Sequence, residues 1–350
     1  MNEEQELQQQ FLQLLSITED MQQRLLTLEK SNQILVHSQK QFVEWMDATI
    51  ADIEHYKENA YFEIRDERYI ENEKREFWYP QIATREETLR CIIEEGASLA
   101  RFGDGEFAAI QGRVRHKFQN VPDQGLADRL KEVLHAKKEG FLVAIADNYG
   151  NLEHYTQQAK REIRCYMTRE VRKEHLSLLE RERMYYNAYI TRPYVMFADN
   201  QTNAPTNRFQ QLREIWNRRD CVFVEGNLTR LGVGNDLFDN AASIHRVLGP
   251  AENAFCRYNE ILECCMKQPK DRLFLLALGP VATVLSYDLH NAGYQAVDIG
   301  HVDLEYEWYL KGEGCRVLVK GKYNNEIENG EYPEDINDKK YLSQIIEDFS

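Results

Sequence analysis

The sequence is poor in cysteine, and its few cysteines are not arranged for cross-linking or for metal binding. Seven are spread over 350 residues, an odd number with no C-x-x-C pair among them. Disulfide scaffolds and structural zinc sites need paired cysteines at short, defined spacings. The pattern therefore argues against both and predicts reduced thiols in a cytoplasmic protein.

The sequence also has no excess of positive charge and no long apolar run. The net charge is −15, whereas non-specific binding to nucleic acid or to anionic membranes requires a basic surface. The longest apolar runs, at 141–146 and 273–278, are far too short to cross a bilayer, and the acidic start MNEEQELQQQ does not resemble a secretory signal. We expect a soluble protein with no membrane span and no nucleic-acid partner.

Residues 1–60 lack proline and carry two interleaved apolar series over seven heptads. The first series is Leu7, Leu14, Met21, Leu28, Leu35, Phe42 and Thr49, and the second is Phe11, Thr18, Leu25, Asn32, Gln39, Met46 and Ile53. This repeat predicts a coiled coil that holds a homo-oligomer together, with Asn32 as a polar position that fixes register and oligomer state. The alternative is an amphipathic helix folded back on the rest of the chain. Residues 61–80 are predicted to form a helical connector that ends at Pro80.

Beyond residue 80, apolar strand-like runs alternate with helical patterns. The predicted strands lie at 98–102, 141–146, 194–198, 221–224, 273–278, 296–299 and 316–319. The predicted helices lie near 126–137, 152–163, 170–188, 208–218, 253–267 and 281–292, and a capping box from Thr84 to Glu87 opens an earlier one. Nearly continuous apolar strands between helices indicate an α/β fold, with a Rossmann-like, mostly parallel sheet covered on both faces. We assign 81–320 to this domain and 321–350 to an acidic C-terminal tail.

Two carboxylates, Asp104 and Glu106, follow the first of these strands in the stretch Arg101-Phe-Gly103-Asp104-Gly-Glu106. Flanking glycines allow the tight backbone that would let both acids share one divalent cation. Polar residues also follow the strands at 147–148, 199–200, 225–226 and 298–303, and ligands of open α/β sheets bind at such strand ends. The stretch is either a metal site or a solvated turn.

A possible phosphate site begins at Gly279 and Pro280, which follow the most apolar strand and open a helix. The free N–H groups of that helix start, together with Thr283, could hold phosphate oxygens, and Arg230 could clamp them. An ordinary turn and a surface salt bridge are the alternatives. The nearby G-x-G at 232–234 lacks the third glycine of a dinucleotide fingerprint, so a nicotinamide or flavin site is rejected.

His301, Asp303 and Glu305 alternate after the strand at 296–299. An extended backbone would place all three on one face, where they could supply a metal ligand or a general base, or form a solvated edge. The basic run at 113–117 either attracts an anionic substrate or is a solvated loop.

Several long motifs resemble the GT-D-type glycosyltransferases, a family formerly catalogued as a domain of unknown function and known from streptococcal enzymes that glycosylate serine-rich adhesins. The motifs are RFGDGEF, EGNLTRLGVGNDLFDNA, LFLLALGPVATVLSYDL and GYQAVDIGHVDLEYEWYL, in that order. The resemblance covers residues 80–320 and leaves out the N-terminal coiled coil.

This resemblance implies a metal-dependent transferase that moves a hexose, typically glucose, from a UDP-sugar to a glycan or glycoprotein acceptor with inversion. The family's D-x-E motif falls on Asp104 and Glu106, which would bind Mn²⁺ or Mg²⁺, and Arg101 and the helix start at Gly279 would face the same diphosphate. For the general base we favour Asp303 or Glu305, with His301 behind them. A metal-dependent phosphohydrolase and a non-catalytic coiled-coil assembly protein are the alternatives.

Overall fold

The computed structural model describes residues 3–68, 78–115, 117–327 and 330–350, which divide into two units, Met1–Ala60 and Tyr61–Ser350. The N-terminal part of the chain is one helix, α1 (Glu3–Arg68), of 66 residues. No proline or glycine interrupts it, so its backbone hydrogen bonds continue without a kink. The helical part of the N-terminal prediction is confirmed, and residues 69–77 of the predicted connector lie outside the described residues. None of the described helices is apolar over enough length to cross a membrane.

The described part of the second unit alternates between strands and helices. The strands are β1 (Gln81–Ile82), β2 (Ser98–Phe102), β3 (Phe141–Ile145), β4 (Met184–Asn187), β5 (Asp220–Gly226), β6 (Ser243–Gly249), β7 (Leu273–Ala277), β8 (Gln295–Asp298) and β9 (Ile345–Asp348). The helices are α2 (Arg85–Glu94), α3 (Asp104–Ile110), α4 (Gln124–Leu134), α5 (Gln157–Tyr166), α6 (Arg169–Leu178), α7 (Ala204–Arg213), α8 (Tyr258–Met266), α9 (Pro280–Asn291), α10 (Val302–Lys311) and α11 (Lys339–Gln344).

The strands form one parallel sheet in the order β1-β4-β3-β2-β8-β7-β5-β6-β9. β2 pairs with β3 over its whole length, from Ser98 against Phe141 to Phe102 against Ile145, but it meets β8 only through Leu99 and Val297. From β2 the chain continues to β3 on one side of this β2–β8 junction, and from β8 it continues to β9 on the other side. Connections leave such a junction toward opposite sides, and the crevice between them is where open α/β sheets bind ligands.

Successive strand residues enter two separate apolar layers, one on each face of the sheet. In β2, for example, Ala100 and Phe102 belong to one layer while Leu99 belongs to the other. Helices α4, α8 and α9 contribute to the first layer, and α2, α7 and α10 to the second. The predicted sheet with helices on both faces is therefore confirmed.

Two predicted strands are wrong. Residues 194–198 form turns, because the amides of Tyr194 and Val195 bond to the carboxylate of Glu305 instead of a neighbouring strand. Residues 316–319 also lie outside any strand, and Leu318 is exposed. The predicted helix at 170–188 is too long, since α6 ends at Leu178 and β4 follows.

Four strands were not predicted from the pattern, among them β4, which lies inside the predicted helix at 170–188. β1 has only two residues, and β9 lies in the segment predicted as an acidic tail, where it pairs with β6 and extends the sheet. β6 contains Arg246, whose buried guanidinium pairs with the buried carboxylate of Glu225 on β5. Because buried parallel strands are normally apolar throughout, the charged Arg246 keeps β6 from being recognised as a strand in the sequence.

Candidate active site

A pocket of about 400 Å³ lies at the carboxyl ends of β2, β3, β4, β7 and β8. Its wall is built from the segments that follow these strands, with contributions from the loop after α3 and from the C-terminal segment near residue 326. The residues on which most of the geometry depends are Arg101, Gly103, Asp104, Glu106, Arg115, Phe118, Tyr166, Tyr189, Arg192, Gly279, Pro280, Asp298, His301, Asp303, Glu305, Arg316, Tyr323 and Glu326. Of the predicted strands, β2, β3, β7 and β8 have carboxyl ends that line this pocket, and the end of β4, which was not predicted, joins them. Asp199 and Glu225, which end or follow other predicted strands, do not line this pocket.

Asp104 and Glu106 lie in the first turn of α3, where carboxylates are stabilised by the helix dipole. Glu106 Oε2 accepts a hydrogen bond of 2.7 Å from the amide of Gly103, the residue that caps the helix. Burial raises the pKa of Glu106, and the nearby charge of Asp298 adds to this, although the Gly103 bond opposes it. Asp104 is ion-paired with Arg115.

The chemistry of these two acids fits a Mg²⁺ or Mn²⁺ ion that arrives with a substrate. Hard divalent ions of this kind are typically held by one or two carboxylates together with phosphate oxygens and water. Among the residues that the structure describes, no group of three histidines, cysteines or acids could hold an ion by itself. Burial disfavours the charged form of Glu106 and so raises its pKa. A cation beside this carboxylate would stabilise the charged form.

Arg101 ties the ends of β2 and β8 together across the junction. Its Nη2 lies 2.7 Å from Asp298 Oδ1, its Nε donates to the Asp298 carbonyl at 3.0 Å, and its Nη1 donates to Thr191 at 2.9 Å. The guanidinium packs against Gly300, where a Cβ would lie 1.9 Å from Nη2, so only glycine fits. Arg101 lines the pocket as predicted, with its donors engaged by the protein.

Gly279 and Pro280 also line the pocket, at the start of α9. Gly279 has φ +55°, and a Cβ on it would approach the Cβ of Phe118 to 2.8 Å. Helix α9 therefore begins close to the Phe118 side chain, at the edge of the cavity.

Two residues predicted for the phosphate site are not in it. Thr283 is fully buried and donates to the carbonyl of Arg101 at 2.9 Å, one turn too deep in α9 to reach the cavity. Arg230 is buried as well, and its Nη1 donates to the carbonyls of Gly321 and Glu334. Both stabilise the fold and neither lines the pocket.

The extended face predicted for His301, Asp303 and Glu305 is wrong, because α10 begins directly after His301. Residues two positions apart on a helix point in different directions, and the two acids have separate partners. Asp303 lies 2.6 Å from Lys322 Nζ and accepts from the Gly232 amide at 3.0 Å. Glu305 Oε2 accepts from two backbone amides, at 3.0 and 3.1 Å. All three residues nevertheless line the pocket.

Glu305 keeps one oxygen available. Its Oε1 is buried, has no hydrogen-bond partner within the described part of the chain, and lies 3.9 Å from Arg192 Nη1. Burial raises the pKa of Glu305, and the charge of Arg192 offsets only part of this.

A cluster around Glu326 closes one side of the pocket and was not found from the sequence. Glu326 is ion-paired with Arg192, lies 2.8 Å from Arg316 Nε, and lies 3.3 Å from His301 Nδ1. Burial alone would raise the pKa of Glu326, but the charges of Arg192 and His301 hold it well below its usual range. Its members come from loops far apart in the chain, so no local spacing marks them.

Cationic and aromatic side chains form the remaining wall. Arg113 and Arg115, from the basic run noted above, line the pocket, and Arg115 lies 4.3 Å from the centre of the Tyr166 ring. Residue 116 of that run lies outside the described residues. Phe118 and Tyr323 pack against each other near the start of α9, with ring centres 5.1 Å apart and ring planes tilted by 46°. The pocket can therefore hold an anionic, ring-containing ligand although the protein as a whole is acidic.

Comparisons with known proteins agree on one family. The sequence model of the glycosyltransferase GT-D fold matches residues 99–327. The chain is 35% identical over 262 residues to a probable glycosyl transferase, Gly, of Streptococcus gordonii, and 36% identical over 276 residues to the glycosyltransferase GlyD of Streptococcus pneumoniae serotype 4. These alignments cover 75% and 76% of this chain but only 38% and 32% of the relatives, so the chain spans about a third of their length.

Two solved structures have the same fold. One is a glycosyltransferase with domain of unknown function 1792 from Streptococcus sanguinis, with a TM-score of 0.73 and 33% identity, covering 78% of this chain and all of that one. The other is a structure of that domain described as having a distinct glycosyltransferase fold, with a TM-score of 0.70 and 35% identity over 77% of this chain and 96% of that one. By sequence and by fold, this chain belongs to the GT-D family of glycosyltransferases.

Proposed function

We propose that this protein transfers a hexose, typically glucose, from a UDP-sugar to a hydroxyl group of a glycan or glycoprotein, with inversion at the anomeric carbon. The acceptor would belong to a bacterial surface glycan or an adhesin. One observation carries the proposal. An acid pair, several arginines and several aromatic rings line the same pocket at the β2–β8 junction.

The pocket suits a nucleoside diphosphate attached to a sugar. Its volume of about 400 Å³ lies in the range of small-molecule sites, and the start of α9, where the helix dipole favours negative charge, lies at its edge. Phe118, Tyr166 and Tyr323 offer flat surfaces for a base or a sugar ring. Arg113 and Arg115 supply positive charge for the diphosphate.

Asp104 and Glu106 would hold the Mn²⁺ or Mg²⁺ ion. When bound, such an ion neutralises the diphosphate and stabilises the departing UDP. The protein's part is to keep the two carboxylates at the pocket edge, which the start of α3 and the Gly103 amide do. Arg115 would then exchange its bond with Asp104 for one with the substrate.

Glu305 is the best-placed general base of the three candidates. Its buried Oε1 has a raised pKa and no hydrogen bond among the described residues, which suits an oxygen that takes a proton from the acceptor hydroxyl. Asp303 is neutralised by Lys322, and His301 Nδ1 accepts from Arg192 Nη2 at 2.7 Å.

Calorimetric titration of UDP with and without Mn²⁺ tests the proposal. We expect Mn²⁺-dependent binding that Asp104→Asn and Glu106→Gln weaken at least about tenfold. Asp128→Asn is the matched control, since Asp128 is exposed on α4 and does not line the pocket. Absence of UDP binding under every condition would refute the choice of donor.

A second assay measures UDP released from a UDP-sugar with and without candidate acceptors. Release that depends on an acceptor supports transfer. Equal release without one would instead identify a metal-dependent hydrolase, and no turnover with any donor or acceptor would favour an assembly protein.

A further inference from the structure

Helix α1 carries many apolar side chains that are exposed in a single copy of the chain. Their exposed fractions reach 66% at Leu28, 63% at Phe11 and 59% at Leu25. Soluble proteins rarely leave so long an apolar stripe in contact with water unless another surface covers it. The polar face is equally continuous and contains Ser16, Gln23, Lys30, His37 and Glu44, at successive steps of seven.

The spacing of the stripe assigns its positions in the heptad. The step from position a to position d is three residues, so the series from Phe11 to Ile53 occupies a and the series from Leu14 to Thr49 occupies d. Asn32 is then an a residue, with the mostly apolar a and d layers on either side of it.

We propose that α1 pairs with the α1 of a second copy of this chain, in parallel and in register. In that arrangement each a residue faces the same residue of the partner, so the two Asn32 amides can donate and accept one hydrogen bond between them. In an antiparallel pair an a residue faces a d residue. Asn32 would then lose its amide partner among the apolar d residues, which is costly.

The charges beside the stripe support the same arrangement. In a parallel pair, a g residue lies next to the e residue five positions later on the other helix. Arg24 then meets Glu29 of the second copy, and Asp52 meets Lys57 of the second copy. In both pairs the two side chains carry opposite charges. No like-charge pair arises between the g positions 17–52 and the e positions that follow them.

The present contact of Arg24 does not oppose this pairing. Arg24 Nε lies 2.9 Å from Asp20 of its own helix, and both side chains are more than half exposed. Such exposed pairs contribute little and exchange readily. Apolar e residues, among them Val36, Val43 and Ile50, are exposed in one copy and would be covered by the g residues of the other.

Light scattering and a cysteine cross-link test the proposal on the full-length chain. We expect a mass of at least twice 41.3 kDa. Leu35→Cys lies at d, where identical residues meet in a parallel pair, and should form a covalent dimer on mild oxidation. Lys30→Cys lies at f on the polar face and is the matched control, and the unmodified chain gives the background of the seven native cysteines.

A charge exchange tests the register independently. Arg24→Glu creates two like-charge contacts per pair and should raise the dissociation constant at low salt by about tenfold. Adding Glu29→Arg to it should restore the original value. A monomeric mass, equal cross-linking at residues 30 and 35, or a double variant no better than the single one would overturn the proposal.

Discussion

Replacing Glu326 by glutamine should destabilise the globular unit, because it leaves Arg192 without its main counter-charge. The Glu326 and Arg192 side chains are only 16% and 20% exposed, so water cannot replace the lost pairing. Breaking a buried ion pair by removing one partner costs about 3–5 kcal/mol. Glutamine keeps the shape, and Glu305 remains 3.9 Å from Arg192, so we expect the lower end, about 3 kcal/mol.

Glu162→Gln is the matched control, since Glu162 shares Arg316 with Glu326. Its carboxylate lies 2.9 Å from Arg316 Nη1, but the side chain is 43% exposed, and such pairs contribute about 1 kcal/mol or less. Urea unfolding followed by the fluorescence of the buried Trp216 and Trp308 measures both variants. In a thermal scan the expected loss for Glu326→Gln corresponds to roughly 6–12 °C.

The effect should also depend on pH with a defined sign. The pKa of Glu326 is lower in the folded protein than its ordinary value of 4.5, so the charge stabilises the fold at neutral pH. This stabilisation decreases progressively as the pH falls below about 4.5, and the difference in stability between wild type and Glu326→Gln should shrink over that range. A loss no larger than that of Glu162→Gln at neutral pH would refute the reasoning.

Three further predictions concern the pocket. Glu305→Gln should lower kcat by about 10²- to 10⁴-fold with a smaller change in KM, as expected for loss of a general base, whereas Asp303→Asn should mainly lower stability; similar kcat values in both variants would contradict this. Gly279→Ala must displace Phe118 and should raise the KM for the UDP-sugar, while Gly293→Ala, which has a similar positive φ but no atom within 4 Å, should change stability alone. The affinity for Mn²⁺ in the presence of UDP should still rise with pH above the ordinary glutamate pKa of 4.5, because burial raises the pKa of Glu106 and protons then compete with the metal; calorimetry that finds no such dependence would exclude Glu106 as a ligand.

The part of the fold that follows apolar periodicity could be predicted from the sequence. Strands such as β3 and β7 are buried along their whole length, and their apolar runs show this directly. β6 was missed because Arg246 is paired with a partner on β5 that no local pattern reveals. The run at 194–198 was mistaken for a strand because its burial comes from contacts with α10 and not from a strand ladder.

Residues of the candidate site could be predicted where they directly follow a strand in the sequence, and not where their partners lie far along the chain. Asp104, Glu106 and Gly279 follow strands directly and line the pocket as expected. Arg230 does not line the pocket, because its guanidinium is bonded to backbone carbonyls of the C-terminal segment, far along the chain. Asp303 and Glu305 line the pocket, but their backbone is not extended as predicted. Their alternation in the sequence falls in the first turn of helix α10.

The contact between Arg192 and Glu326 spans 134 positions of the chain and therefore sets an order of events during synthesis. Chains emerge from the ribosome beginning with their N-terminus, so the strands that carry the acid pair and the α9 start are made before Glu326 exists. Until then Arg192 lacks its main counter-charge and the pocket lacks one wall. A polypeptide that stops before residue 326 should consequently be unable to close the pocket.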